Sequence, residues 1–297
     1  MTPEIGALLR SLEAESYIAE PATATALYLA RATRKPLLIE GDAGVGKTEL
    51  AKVWARLEDT DLIRLQCYEG LDVQTALYEW DYPRQMLRLR MSEATGEDLD
   101  RLESRIFSRD YLLERPLLRA ITHEDKPAVL LIDEIDRADD GFEAFLLEVL
   151  SDFQVTIPEL GTIVAQHPPY VVLTSNRTRE LGDALRRRCL YLYLDHPSLE
   201  REVRIIRARC PEGSGALPEE IARFLQALRA RRLVKPPGVA ETLDFTRALT
   251  TLRQRSLEAE VVTQTLGTLL KDKHDLETIT PSEIAEMLAR VREALPS

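Results

Sequence analysis

The chain has 297 residues, with 39 basic and 50 acidic side chains and a formal charge of −11. A chain of this length buries roughly three quarters of its unfolded surface and needs no disulfide or metal staples. Its acidic balance argues against a nucleic-acid coat or a basic membrane-surface protein. The longest apolar runs, such as Ala128–Ile132 and Leu190–Leu194, fall far short of the ~18–20 residues of a membrane helix. Met1–Arg10 carries Glu4 and no long apolar core, so no secretory signal is expected. Cys67, Cys189 and Cys210 are isolated and odd in number, which points to a reducing cytoplasm. The four histidines lack metal-ligand spacing.

In chain order, helical periodicity covers Ala22–Ala32 and is followed by a compact apolar run, Pro36–Glu40, that ends in a glycine-rich segment. A helix is expected over Lys47–Leu57 and a strand over Leu62–Gln66. Ala128–Ile132, Tyr170–Thr174 and Leu190–Leu194 are three further strand candidates. Such apolar runs suit strands covered on both faces, and their alternation with helices signals a parallel α/β sheet. The sixty or so residues of Cys67–Pro127 are too many for a simple crossover. Within them Met86–Arg109 reads as an amphipathic helical stretch. Beyond Pro197 only helices are expected: Glu200–Arg209, Pro218–Arg231, Val239–Gln254, Leu257–Lys271 and Pro281–Ala294, punctuated at Pro211–Gly215 and Pro236–Gly238. A core over residues 1–197 with an insert at about 68–127, then an all-helical part over 198–297, is the expected organisation, with the boundary at Asp195–Ser198.

Gly41-Asp42-Ala43-Gly44-Val45-Gly46-Lys47-Thr48 matches G-x-x-x-x-G-K-[ST], with a strand before it and a helix after it. The glycines let successive N–H groups face one phosphate. Lys47 reaches the β- and γ-phosphates, the Thr48 hydroxyl ligates Mg²⁺, and the helix start, with Glu49 in its first turn, adds its positive end. With 32 Arg against only 7 Lys in the chain, this lysine stands out. Downstream, Val129–Ile132 runs into Asp133 and Glu134, two carboxylates at the carboxyl end of a buried strand, where an open α/β sheet lines its ligand crevice. Asp133 is expected to hold Mg²⁺, mainly through water, and Glu134 to orient and polarise the water that attacks the γ-phosphate of ATP. Asp136 and Arg137 are read as structural or interface residues.

Tyr170–Thr174 leads into Ser175, Asn176 and Arg177. The Asn176 amide both donates and accepts, so it suits a sensor between the acids and the γ-phosphate, although an Asx-turn residue would look the same. Arg186, Arg187 and Arg188 follow. A basic triplet is often a solvated face. Here its position also suits an arginine given in trans to a neighbouring subunit's nucleotide, which requires a ring.

With these elements in this order, the chain resembles the AAA+ ATPases of the MoxR type. Within them LQCYEGLD (65–72), LIDEIDRA (131–138), FEAFLLEVLSDFQVTI (142–157), TSNRTREL (174–181) and DALRRRC (183–189) resemble the CoxD group, accessory proteins of molybdenum- and copper-containing carbon monoxide dehydrogenase. The resemblance spans roughly residues 15–250. It implies an α/β P-loop AAA+ αβα sandwich with strand order 5-1-4-3-2, a helical lid and a hexameric ring. It implies ATP and Mg²⁺ as ligands, a VWA-domain adaptor, and a molybdenum-hydroxylase client remodelled at the expense of ATP. It places a helix insert within Cys67–Pro127 and a hairpin at Val155–Ala165, both on the pore side and both candidate client contacts, with plain structural cover the other reading of the hairpin. It makes Arg188, directly before Cys189, the preferred trans arginine and Arg187 the runner-up. One departure is that Gly238–Thr242 lacks the second-sensor arginine of many relatives; Arg247 lies farther along the same helix.

Two readings from other classes compete. A DNA-linked AAA+ motor or nucleotide-gated binding module would be marked by a basic stripe, which the acidic balance disfavours. The other is a P-loop metabolic kinase or GTPase; a GTPase needs an N/T-K-x-D element, which Thr174–Arg177 does not supply.

Overall fold

The computed structural model describes residues 2–95, 99–212 and 215–294. The chain divides into two compact units interleaved in sequence. Ala22–Glu40 with Leu50–Leu192 form a sheet unit, and Met1–Pro21, Gly41–Glu49 and Tyr193–Ser297 form a helical unit.

The sheet is built from β1 (Leu37–Glu40), β2 (Leu62–Gln66), β3 (Val129–Asp133), β4 (Tyr170–Ser175) and β5 (Leu190–Tyr193), in the order β2-β3-β4-β1-β5. This is the expected 5-1-4-3-2 arrangement. β2 pairs parallel with β3, β3 with β4, and β4 with β1; on the far edge the Leu190 N–H donates to the Pro36 carbonyl at 2.8 Å. β1, β3 and β4 are buried along their whole length, as strands covered on both faces must be, whereas the edge strand β2 alternates. Trp54 of helix Lys47–Leu57 packs on Tyr170, ring centroids 5.0 Å apart, and the Arg34 guanidinium lies 4.3 Å over the same tyrosine ring.

Parallel register carries every strand to the same edge. Gln66 lies opposite Asp133 and Glu40 opposite Ser175, so the polar residues that end these runs are level with one another.

The Cys67–Pro127 segment holds more than the single helical stretch expected. An antiparallel ribbon pairs Tyr78–Trp80 with Leu112–Glu114. Trp80 meets Phe107 edge-on at 5.4 Å. Two helices, Tyr82–Thr95 and Leu99–Ile106, occupy the expected Met86–Arg109 stretch, and residues 96–98 between them lie outside the described residues. Three-residue strands carry too little period-two signal to be seen in sequence. The expected hairpin is present: Gln154–Ile157 pairs with Gly161–Val164, and Gly161, at φ 78°, takes the left-handed position of the turn.

The helical unit contains helices Pro3–Ala14, Leu199–Arg209, Leu217–Arg229, Val239–Thr251, Ala259–Thr265, Lys273–Thr278 and Pro281–Glu293. Part of the Pro211–Gly215 punctuation, residues 213–214, lies outside the described residues. The expected Leu257–Lys271 helix is shorter. It starts at Ala259, tightens into a 3₁₀ turn over Leu266–Thr268 around Gly267, and gives way to a separate helix capped by the Asp272 carboxylate. A glycine inside a helical pattern costs about 1 kcal/mol and is a natural place to stop. Among the described residues no helix is long and apolar enough to cross a membrane.

At the centre of this unit the wholly buried Glu202 takes a two-pronged bond from Arg229, both contacts 2.7 Å, and a third from the Thr242 hydroxyl at 2.9 Å. Arg229 Nε is also satisfied, by the Pro237 carbonyl at 2.7 Å. Removing one partner of such a buried pair leaves the other charge unsolvated. Glu202→Ala should therefore lower the unfolding free energy by about 3–5 kcal/mol, measured by urea denaturation.

Candidate functional site

Two clusters of expected site residues occur, one in each unit. In the helical unit the glycine-rich loop Gly41–Gly46 is closed on itself: the Lys47 ammonium donates to the Gly41 and Asp42 carbonyls, each at 2.7 Å. Gly41, Gly44 and Gly46 all take positive φ, at 155°, 77° and 101°. A Cβ on Gly41 would stand 2.2 Å from the Leu194 carbonyl oxygen. Gly44, at φ 77°, has the Glu241 carboxylate 2.8 Å from where a Cβ would be. Lys47 and Thr48 open the helix Lys47–Leu57, with Glu49 in its first turn. The start of helix Val239–Thr251 rests on the loop, since the Ala240 N–H donates to the Gly44 carbonyl at 3.2 Å.

Beside Gly44, Val45 and Gly46 lies a cavity of about 170 Å³. Tyr17, Ile18, Ile205, Val239 and Leu243 give it apolar walls, and Arg201 and Arg209 supply its cations. The Tyr17 hydroxyl is buried with no hydrogen-bond partner among the described residues, and burial pushes it up to about 12. A loop of N–H groups beside an apolar slot with cationic side chains fits a polyphosphate carried on a flat heterocycle. Arg247, the suggested stand-in for the second sensor, does not line this cavity. It pairs with Asp244 at 3.1 Å and is half exposed.

In the sheet unit the acids cluster at the ends of β3 and β4. Asp133 is 3% exposed; it accepts from the Thr174 hydroxyl and from the Arg64 guanidinium, both at 2.5 Å. The Thr174 oxygen in turn accepts from the Glu134 N–H at 3.0 Å. Glu134 sits in the left-handed region at φ 56°, ψ 50°, an uncommon conformation for a side-chain-bearing residue and one that clusters at functional turns. Its carboxylate accepts from Gln66 Nε2 at 3.1 Å and from Asn176 Nδ2 at 3.4 Å. The structure thus brings Asp133, Glu134 and Asn176 together. Asn176 is no simple turn residue, because its side chain reaches Glu134 while its backbone N–H donates to both Asp136 oxygens at 3.2 Å. Asp136 also accepts from the Thr178 N–H at 2.9 Å and the Thr178 hydroxyl at 2.6 Å. Burial and the neighbouring Asp133, Asp136 and Glu134 push the Cys67 thiol up to about 12, so it stays neutral and unreactive.

Among the described residues no group of three or more His, Cys, Asp or Glu side chains is placed to hold a metal.

The three arginines of helix Asp183–Arg188 are held differently. Arg186 lies 3.8 Å from Glu180 and 5.8 Å over the Tyr191 ring. Arg188 donates to the Leu147 carbonyl at 2.9 Å and to the Ser151 hydroxyl. Arg187 is exposed and makes no hydrogen bond or ion pair among the described residues. It lines a 420 Å³ cavity with Arg34, Lys35, Leu147, Leu185 and Cys189.

Sequence reasoning missed Arg64, Gln66, Thr174 and Glu143. Glu143, 4% exposed, accepts from Arg179 and from the Gly182 N–H, the latter at 2.9 Å, and so holds the segment between Asn176 and the arginines. No local pattern marks these residues, because each partner lies tens of positions away. Asp136→Ala leaves the Asn176 and Thr178 donors unpaired. Their amides should then exchange at least about tenfold faster, read by hydrogen–deuterium exchange, with the β1 amides unchanged.

The AAA domain (dynein-related subfamily) matches residues 36–189, just over half of the chain. The chain is 27% identical over 256 residues to the gas vesicle ATPase GvpN of Haloferax mediterranei, covering 82% of this chain and 71% of that protein. It is 27% identical over 206 residues to the gas vesicle ATPase GvpN1 of Halobacterium salinarum, covering 66% of this chain and 57% of that one. In fold it is similar to two mutants of Thermotoga maritima RuvB. TM-scores are 0.51 and 0.50, at 18% and 19% identity, covering 98% and 99% of this chain and 78% and 79% of those chains. A buried parallel sheet in this strand order, a phosphate loop and a matching family over most of the sheet unit agree: the chain belongs to the dynein-related subfamily of AAA domains and is an AAA+ ATPase.

Proposed function

We propose that the chain hydrolyses ATP to ADP and phosphate within a homo-oligomeric ring and uses the energy to remodel a client protein, in the manner of MoxR-type accessory ATPases. The observation that carries the hydrolytic part is the cluster at the end of β3, where Asn176, Gln66 and Arg137 all meet the Glu134 carboxylate. In this reading Gly41–Gly46 and Lys47 bind the phosphates, and Thr48 and Asp133 hold Mg²⁺. A Mg²⁺ held by these residues would supply neutralisation of the charge that develops on the phosphates. Glu134 positions a water and polarises it for attack on the γ-phosphorus, while Asn176 keeps that carboxylate turned toward the water. The loop residues Asp42, Ala43 and Val45 complete the nucleotide-binding segment, and Glu49 borders it from the first turn of the helix.

For the trans arginine the geometry favours Arg187. Arg188 is spent on Leu147 and Ser151 of its own subunit, whereas Arg187 has no such tie among the described residues. Arg188 then positions the helix that presents its neighbour.

The client follows from resemblance. The CoxD-like strings support metal-centre maturation of a molybdenum hydroxylase, such as carbon monoxide dehydrogenase, with a VWA-domain adaptor. A cytoplasmic setting fits both this client and the free cysteines. The gas-vesicle names of the relatives support work on a different client with the same ATPase. The RuvB likeness concerns fold, so it adds nothing to a DNA-motor reading, and the −11 charge stands against one.

Glu134→Gln should lower turnover at least about a hundredfold while leaving nucleotide binding intact, measured by phosphate release and titration calorimetry; undiminished turnover would remove Glu134 from its role. Arg187→Ala should cost about a thousandfold and regain activity when mixed with Lys47→Ala subunits, which contribute the arginine but not the site. Loss without rescue would place its action within one subunit.

A further inference from the structure

Both cations that line the cavity beside the phosphate loop come from helix Leu199–Arg209, and they are held unequally. Arg201 is committed: its Nε donates to the Ile18 carbonyl at 2.9 Å, it pairs with Glu20 at 2.9 Å, and its side chain is only 12% exposed. It fastens the segment that carries Tyr17 and Ile18. Arg209, the last residue of the helix, makes one ion pair among the described residues, 3.1 Å to Glu49, with the two side chains 29% and 25% exposed. Such a partly solvated pair is weakly held.

The partner is unusual in its position. Glu49 lies in the first turn of the helix that Lys47 and Thr48 open, so its carboxylate shares a helix start with the anion-binding loop. It gains from the helix's positive end without any arginine, and it repels an incoming polyphosphate. Arg209 therefore faces a single carboxylate across the cavity it shares with the loop. A polyphosphate bound at that loop would offer several charges, which a guanidinium grips with two parallel N–H donors.

We propose that Arg209 is a nucleotide-contacting arginine which Glu49 holds in reserve. Binding of a nucleoside triphosphate transfers the guanidinium from the Glu49 carboxylate to the phosphates, and the end of helix Leu199–Arg209 follows it. This rests on reading the loop as the ATP site. It gives Gly238–Thr242, which lacks a second-sensor arginine, a functional counterpart from another helix of the same unit.

The two partners should act with opposite sign. Titration calorimetry of the full chain with a non-hydrolysable ATP analogue and Mg²⁺ tests this. Arg209→Ala should weaken binding about tenfold and Arg209→Lys by less, since lysine keeps the charge but loses the fork. Glu49→Gln frees the arginine and removes a repelling charge, so it should tighten binding several-fold. The Glu49→Gln/Arg209→Ala double variant should lose most of that gain. A Glu49→Gln variant that binds more weakly would mean the pair is only a structural strap and would overturn the proposal. So would unchanged affinity in Arg209→Ala or, should that variant not fold, in Arg209→Lys. Binding that Lys47→Ala does not diminish would overturn the nucleotide reading together with it. Loss in Lys47→Ala with no effect at Arg209 overturns this proposal alone.

Discussion

A parallel sheet delivers the ends of its strands to one edge, and in this chain that edge collects carboxylates. Glu40 ends β1, Asp133 ends β3, and Glu134 and Asp136 follow at once; Glu40, Asp133 and Asp136 are 6%, 3% and 3% exposed. Like charges gathered in so little solvent have to be met by donors. The Tyr191 hydroxyl meets Glu40 at 2.9 Å, Arg64 and Thr174 meet Asp133, Gln66 and Asn176 meet Glu134, and Thr178 with the Asn176 backbone meets Asp136. Satisfying these acids is what fixes the left-handed turn at Glu134 and the path of the chain after β4. The segment Asn176–Thr178 is held in place by its bonds to Glu134 and Asp136.

The phosphate loop solves the reverse problem, that of assembling backbone donors without side chains in the way. Glycine at Gly41 and Gly44 removes Cβ atoms where the Leu194 carbonyl and the Glu241 carboxylate come close. Lys47 ties back two loop carbonyls, Gly41 and Asp42. The acidic surplus of the whole chain hardly bears on this. What matters locally is that Arg201 and Arg209 line the adjoining cavity while Glu49 opposes one of them.

The Cys67–Pro127 segment shows how a long connection becomes structure. Its short ribbon joins the hydrophobic core of the main sheet through Trp80, Tyr111 and Leu112, with Phe107 packed against it, and the buried Gln85 amide donates to the Ile106 carbonyl at 2.7 Å, tying its two helices together. The outward side of helix Tyr82–Thr95 carries Tyr82, Met86, Leu87 and Met91, each more than half exposed. A polar residue inside and large apolar residues outside is the inverse of the usual amphipathic pattern. That inversion is why periodicity alone placed the helix but not its bounds.

The sequence by itself determined the parts whose chemistry lies in consecutive residues. The loop Gly41–Thr48, the pair Asp133–Glu134, Asn176 and the arginine triplet are each read from a few neighbouring positions, because a cradle, a strand end and a short helix are local objects. The apolar runs identified the five strands for the same reason, whereas their order came from resemblance and not from any run. Tertiary structure alone decided what each functional group touches. Thr174 meets Asp133 across 41 positions, Arg64 meets it across 69, and Arg209 meets Glu49 across 160. A hydrogen bond or ion pair depends on distance and angle at its two ends and leaves no trace in the spacing between them.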